Sequence, residues 1–215
     1  MDEITVVVAD GDGAKRALFS ATLDDQPDLT IVGRASSGVT AVEQILDLMP
    51  DVAVCSTDLP DADGVDTCRA VIDRAPAACI VLVAGQSELR RAYEGILAGA
   101  VSCVSLESAA HDLAAATRAA NRRESMLPPP IAGQILRDME AVGGRDAATL
   151  GRPTLTATER EVLTRLAHGE APREIARRYD VTPRLVNVHT GYAVAKLHRA
   201  LEDVQASTPA LATAS

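Results

Sequence analysis

Five times in the first 120 residues a short apolar run is followed by an amphipathic stretch, and this alternation constrains the fold more than any other feature of the chain. The runs Ile4 to Ala9, Thr30 to Ala35, Val52 to Cys55, Cys79 to Ala84 and Val101 to Val104 have the length and composition of buried strands. Between and after them, Ala14 to Leu23, Val39 to Leu48, Val65 to Ala75, Leu89 to Leu97 and Ala109 to Ala120 carry apolar residues at helical spacing. Parallel crossovers are right-handed, so a repeated βα unit predicts an α/β domain: a five-stranded doubly wound parallel sheet with helices on both faces. Ligands of such sheets sit beyond the carboxyl ends of the strands. That singles out Asp10, Gly11, Asp12, Ser56, Thr57, Asp58, Ala84, Gly85, Ser105 and Leu106.

The pattern then changes. Pro128 to Pro130 break the chain, Ile131 to Glu140 has helical spacing, and Gly143-Gly144 breaks it again. Three helices are expected after Pro153. The first opens on a capping box from Thr156 to Glu159 and stops at Gly169. The second runs from Pro172 to Tyr179; the third is capped by Thr182 and runs through Val186, Ala193 and Leu197. The expected organisation is an α/β domain over 1–122, a linker with a short helix over 123–152, a small all-α helix-turn-helix domain over 153–205 and a flexible tail over 206–215.

The net charge of −9 is unevenly spread: −11 over residues 1–120, zero over 121–150 and +2 over 151–215. The two ends therefore suit different partners. Aromatic residues make up 2% of the chain, too few for a protein that stacks bases on aromatic platforms. The opening MDEITVVVAD lacks the basic start of an export signal, and the longest apolar run, Ala77 to Ala84, is too short to span a bilayer. A cytoplasmic protein without membrane contact is expected. Cys55, Cys68, Cys79 and Cys103 show no CxxC spacing and read as buried thiols rather than metal ligands. The four His are scattered, no Gly-rich phosphate cradle precedes a Lys, and no nucleophile has an evident base, so neither an enzyme nor a bound cofactor is expected.

Two segments carry a resemblance. LTATEREVLTRLAHGEAPREIARRYDVTPRLVNVHTGYAVAKL, residues 155–197, resembles the LuxR-type helix-turn-helix. PDVAVCSTDLPDADG aligns on the pattern PDVVLLDxxMPGMDG of response-regulator receiver domains, which have a flavodoxin-like fold. Together the chain resembles the NarL/FixJ class of response regulator, which implies a transcription regulator acting on double-stranded promoter DNA as a homodimer. The departures from the receiver pattern are chemical. Counting back from Pro60, Ser56 stands where the family has its phosphate-accepting Asp, Ala84 replaces the switch hydroxyl, and Leu106 replaces the phosphate-pairing Lys. Of the acidic pair that holds magnesium, Asp10 remains and Gly11 replaces its partner. Phosphotransfer needs a carboxylate nucleophile, a metal and a cation, so the degenerate site at Asp10, Ser56, Ala84 and Leu106 implies a pseudo-receiver without a metal site. A small molecule or a protein is then the expected signal.

The resemblance also assigns the DNA interface. The third helix enters the major groove, with Asn187, Val188 and Gly191 toward bases and Arg173, Arg177, Arg184 and Lys196 toward phosphates. Arg184, Asn187 and Gly191 lie three and four apart, on one helical face. Asn187 can pair bidentately with adenine. Asn187 and Gly191 stand where relatives often carry basic residues, which leaves an alternative: a protein-interaction module that pairs with other regulators and binds DNA weakly or not at all.

Overall fold

The computed structural model describes residues 3–143 and 153–207; the expected break at Gly144 and the tail beyond Ser207 lie outside them. The chain runs β1 (Ile4–Ala9), α1 (Gly13–Asp24), β2 (Leu29–Ala35), α2 (Gly38–Leu48), β3 (Val52–Ser56), α3 (Gly64–Ile72), β4 (Ile80–Ala84), α4 (Leu89–Leu97), β5 (Ser102–Ser105) and α5 (Ala109–Asn121). The five strands form one parallel sheet in the order β2-β1-β3-β4-β5. Strands β3 and β4 are buried along their whole length, as a sheet covered on both faces requires. Asp12 and Asp63 cap α1 and α3 by accepting the first free amides of each helix.

Helices α1 and α5 cover one face of the sheet, where Phe19, Leu23 and Leu113 pack on Val6, Val54 and Val81. On the other face the core does not stop at α2, α3 and α4. It continues from Cys55, Leu82 and Ile96 through Ile131 and Ile135 into Leu163, Ile175 and Leu197. Residues Ile131 and Ile135 belong to α6 (Pro129–Gly143), and the last three to α7 (Ala157–Ala167), α8 (Pro172–Arg178) and α9 (Pro183–Ser207). The helix expected as part of a linker is thus a packed element between α4 and the C-terminal helices. Each fully buried Ile contributes about 1.5–3 kcal/mol to that junction.

One further feature differs from expectation. The segment between α5 and α6 covers the outer edge of β5: Cys103 N donates to Met126 O at 2.9 Å, and the Ser102 hydroxyl donates to Met126 O at 2.7 Å. Helix α9 runs past Leu197 to Ser207, with no Gly or Pro to interrupt residues 198–207. All four cysteines are free and buried. Burial pushes the thiols of Cys55, Cys68 and Cys103 up to about 12, so they are inert packing groups. Among the described residues no helix is long and apolar enough to cross a membrane.

Candidate functional site

The carboxyl ends of β1, β3, β4 and β5 bring together Asp10, Ser56, Ala84 and Leu106, the four positions marked in the sequence. Asp10 is 1% exposed and Ser56 4% exposed. Asp10 Oδ1 accepts from the Asp12 amide at 2.7 Å, while Oδ2 is buried without a hydrogen-bond partner. Burial pushes the Asp10 carboxyl above its ordinary value, against the lowering pull of the Asp12 amide, Lys15 and Ser56. Ser56 Oγ accepts from the Asp58 amide at 3.2 Å. Asp58 itself is exposed, in the loop after β3.

Of these residues Asp10 alone offers a buried carboxylate to a metal. Magnesium takes near-octahedral oxygen ligands, usually with one or two carboxylates. The space a second carboxylate would need at position 11 is filled: a Cβ on Gly11 would lie 2.8 Å from the Pro60 ring. Among the described residues no group of three His, Cys, Asp or Glu side chains could hold a metal ion. Millimolar magnesium is accordingly expected to leave the thermal midpoint unchanged in calorimetry; a rise of several degrees would show that Asp10 and Asp12 form a site.

Sequence spacing does not indicate what holds the loop after β4. There Glu88, half-buried, accepts from the Thr57 hydroxyl at 2.6 Å and from the Gly85 amide at 3.1 Å. Helix α4 begins immediately beyond it and seats the C-terminal part. The Tyr93 hydroxyl donates to Asp138 of α6, and His198 Nε2 of α9 lies 2.6 Å from the Ile96 carbonyl.

The helix-turn-helix is built as its capping signals imply. Thr156 and Glu159 form the reciprocal box at the start of α7, and Pro172 opens α8. Arg173 and Arg177 are exposed on α8, free of ion pairs within 4.0 Å among the described residues. Lys196 is differently placed: Nζ donates to Glu159 Oε2 at 2.6 Å, with side chains 19% and 4% exposed. Burial raises the Glu159 carboxyl, but Lys196 and the Thr156 amide more than offset it and hold the group below its ordinary value. Lys196, the phosphate contact suggested by sequence, is here half-buried and paired with Glu159.

The face of α9 marked by Arg184, Asn187 and Gly191 contacts the segment after α5, with the Arg184 side chain still 66% exposed. Arg184 Nε donates to Glu124 Oε1 at 2.7 Å. Arg122 donates to both oxygens of the same carboxylate, to Oε1 at 2.9 Å and Oε2 at 2.8 Å. Ser125 N donates to the Asn187 carbonyl at 3.1 Å. Gly191 is buried, and a Cβ there would lie 2.6 Å from the Arg123 carbonyl oxygen. Glu124 is 2% exposed; burial raises its carboxyl, but Arg122 and Arg184 outweigh that and hold it below the ordinary value. Val188, next to Asn187, is half-buried. Sequence spacing correctly groups the three residues on one face, and it has no means of finding Glu124, 60 residues from Arg184.

A five-stranded parallel sheet with a carboxylate at the end of β1, joined to a capped helix-turn-helix, defines a receiver domain coupled to a small regulatory DNA-binding domain. The chain matches the response regulator receiver domain over residues 6–118 and the luxR family of bacterial regulatory proteins over 153–206, and it belongs to the response regulators of the NarL/FixJ class. It is a DNA-binding transcriptional regulator. It is 28% identical to the transcriptional regulatory protein LiaR of Bacillus subtilis over 194 residues, 90% of each chain. It has the same identity and coverage with the response regulator VraR of Staphylococcus aureus. Among solved structures, RcsB of Salmonella typhimurium superposes over 96% of this chain and 100% of its own, with a TM-score of 0.56 at 17% identity. The signal receiver domain of NarL from Mycobacterium tuberculosis covers 57% of this chain and 98% of its own, with a TM-score of 0.54 at 24% identity.

Proposed function

We propose that this regulator acts on promoter DNA without aspartyl phosphorylation, and that its receiver is a pseudo-receiver. The observation that carries this reading is Ser56, a buried hydroxyl at the end of β3 where a phosphate acceptor requires a carboxylate. Ala84 and Leu106 add no hydroxyl and no cation to hold a phosphoryl group. The experiment is incubation with acetyl phosphate and magnesium, then intact-mass spectrometry. No added phosphoryl mass is expected. A phosphorylated species that disappears in Asp58→Ala would overturn the reading.

In the covered state the receiver competes with DNA for α9. Glu124 occupies Arg184 as a DNA phosphate would, the Asn187 carbonyl accepts from Ser125 N, and Gly191 is closed off by the Arg123 backbone. DNA binding then requires release of the C-terminal domain, with Asn187 and Val188 reading bases and Arg173, Arg177 and Arg184 on phosphates. Release also breaks the contact of the Ile96 carbonyl of α4 with His198 of α9. The α4 and β5 face, a surface through which two receivers could pair, is occupied by the protein's own α6, α9 and residues 125–127. We therefore read the covered state as monomeric and the released state as the dimer. Glu124→Ala should raise the dimer fraction at tens of micromolar in analytical ultracentrifugation; an unchanged monomer would remove this link. The covered face also favours the alternative of a protein-interaction regulator that binds DNA weakly. Titration of promoter fragments with Glu124→Ala separates the two, since only a DNA-binding protein gains affinity on release.

A further inference from the structure

We propose that Glu88 is a built-in anion that fixes the loop between β4 and α4, and so keeps α4 in place as the seat of the DNA-binding domain. The proposal rests on the reading of the receiver as independent of phosphate. One carboxylate oxygen, Glu88 Oε2, accepts two hydrogen bonds that come from different parts of the fold. The Gly85 amide, three residues back, is a local contact that closes the turn Gln86–Glu88. The Thr57 hydroxyl is not local: it lies 31 residues away, fully buried at the carboxyl end of β3, beside Ser56. A helix cap alone needs only the first of these. The second ties the loop to the strand on which a receiver's phosphate would sit, using a carboxylate that the chain carries permanently. Hydrogen bonds to an ionised acceptor are the strong ones, and Ala84, between the two donors, offers no side-chain polar group in competition.

The position of Glu88 at the head of α4 makes the tie consequential. Leu89 begins α4, whose Ala92, Tyr93 and Ile96 are buried and share one core with residues of α6 and α9. The same helix carries the Tyr93 bond to Asp138 and the Ile96 carbonyl beside His198. An ion pair, Arg91 to Asp63 at 3.4 Å, links α4 to the start of α3, but half of the Arg91 side chain is exposed, and such pairs contribute little. Glu88 is therefore the principal polar restraint on where α4 begins. Loosening it should loosen the docking of α9, about 100 residues further along the chain, without touching any residue of that interface.

The test is hydrogen exchange of the full chain, comparing wild type with Glu88→Ala, Glu88→Gln, Thr57→Val and the Glu88→Ala/Thr57→Val double variant. Glu88→Ala is expected to speed exchange in α4 and in residues 183–199 of α9 about tenfold, the loss of a charged hydrogen bond. Thr57→Val, which removes only the hydroxyl and keeps the shape, should do the same to a lesser degree. The double variant should not exceed Glu88→Ala, because both remove one tie. Glu88→Gln keeps an acceptor oxygen but not the charge and should restore only part of the protection. Faster exchange confined to residues 85–88 would show a local cap and overturn the proposal, as would additive effects in the double variant or no change in any. Thr57→Val keeps the test valid should Glu88→Ala fail to fold. Wild type treated with acetyl phosphate is the separating arm: a change in its α4 exchange would refute the phosphate-independent reading, whatever the Glu88 variants do.

Discussion

Lys196→Ala is expected to unfold the C-terminal helical domain rather than merely weaken its hold on DNA. The substitution leaves Glu159, 3% exposed, without its cation in the core formed by α7 and α9. Breaking a buried pair by removing one partner costs about 3–5 kcal/mol, and the Thr156 amide, which still donates to Glu159 at 2.7 Å, brings the expected loss toward the lower end. The check is chemical denaturation monitored by circular dichroism. Lys196→Ala should lose stability with or without DNA, whereas Lys196→Ala/Glu159→Gln, which removes both charges, should recover much of it. A stable variant with reduced salt dependence of DNA binding would return Lys196 to the phosphate role suggested by sequence. The same pair sets a pH dependence. The folded-state carboxyl of Glu159 lies below its ordinary value of 4.5, so its contribution is fully present above about pH 4.5 and is lost as pH falls toward the depressed value.

Gly191→Ala is expected to tighten DNA binding by about tenfold, by raising the fraction of molecules with α9 free. The added Cβ would lie 2.6 Å from the Arg123 carbonyl oxygen and 3.2 Å from the Glu124 Cα, both backbone atoms that cannot swing aside. Docking is lost, while α9 itself gains about 1 kcal/mol, since Ala is a better helix residue than Gly. The two effects have different signatures. A gain that comes only from helix stability would appear equally in an isolated C-terminal domain, whereas a gain from release requires the receiver. Equilibrium anisotropy with a promoter fragment measures both. Weaker binding in Gly191→Ala would mean that the groove needs the bare backbone at position 191, and that Gly191 serves DNA contact instead of docking.

Lys196 and Gly191 mark the boundary between what local pattern discloses and what it hides. The alternation of apolar runs gives the sheet because strand burial and helical spacing are local patterns, and β1 and α4 fall at the expected residues. The placing of Ser56, Ala84 and Leu106 at the ends of strands is also legible, because they are fixed by their distance from strand ends and from Pro60. Capping boxes and helix-opening prolines locate α7 and α8 for the same reason. Pairs distant in sequence are not legible. Lys196 looks like a solvent cation until Glu159, 37 residues earlier, is seen buried against it. Gly191 reads as a weakened helix position until the Arg123 backbone is found against it. Arg123 has a φ of 59°, a left-handed conformation unusual for Arg, at the turn that brings Glu124 and Ser125 under α9. No periodicity encodes that turn. The helix over 129–143 is visible in sequence as a helix, but its two-sided packing between α4 and α7 is hidden, because a short amphipathic stretch between prolines and glycines has the local signature of a spacer.

If phosphate does not operate this receiver, and docking through Glu124 keeps α9 from DNA, both show in one measurement. It is the affinity of the full chain for a promoter fragment by fluorescence anisotropy, for wild type and Glu124→Ala, each with and without acetyl phosphate and magnesium. The predicted result is that Glu124→Ala binds more tightly than wild type and that acetyl phosphate changes neither curve. Tighter binding of wild type after acetyl phosphate, with no gain from Glu124→Ala, would contradict it.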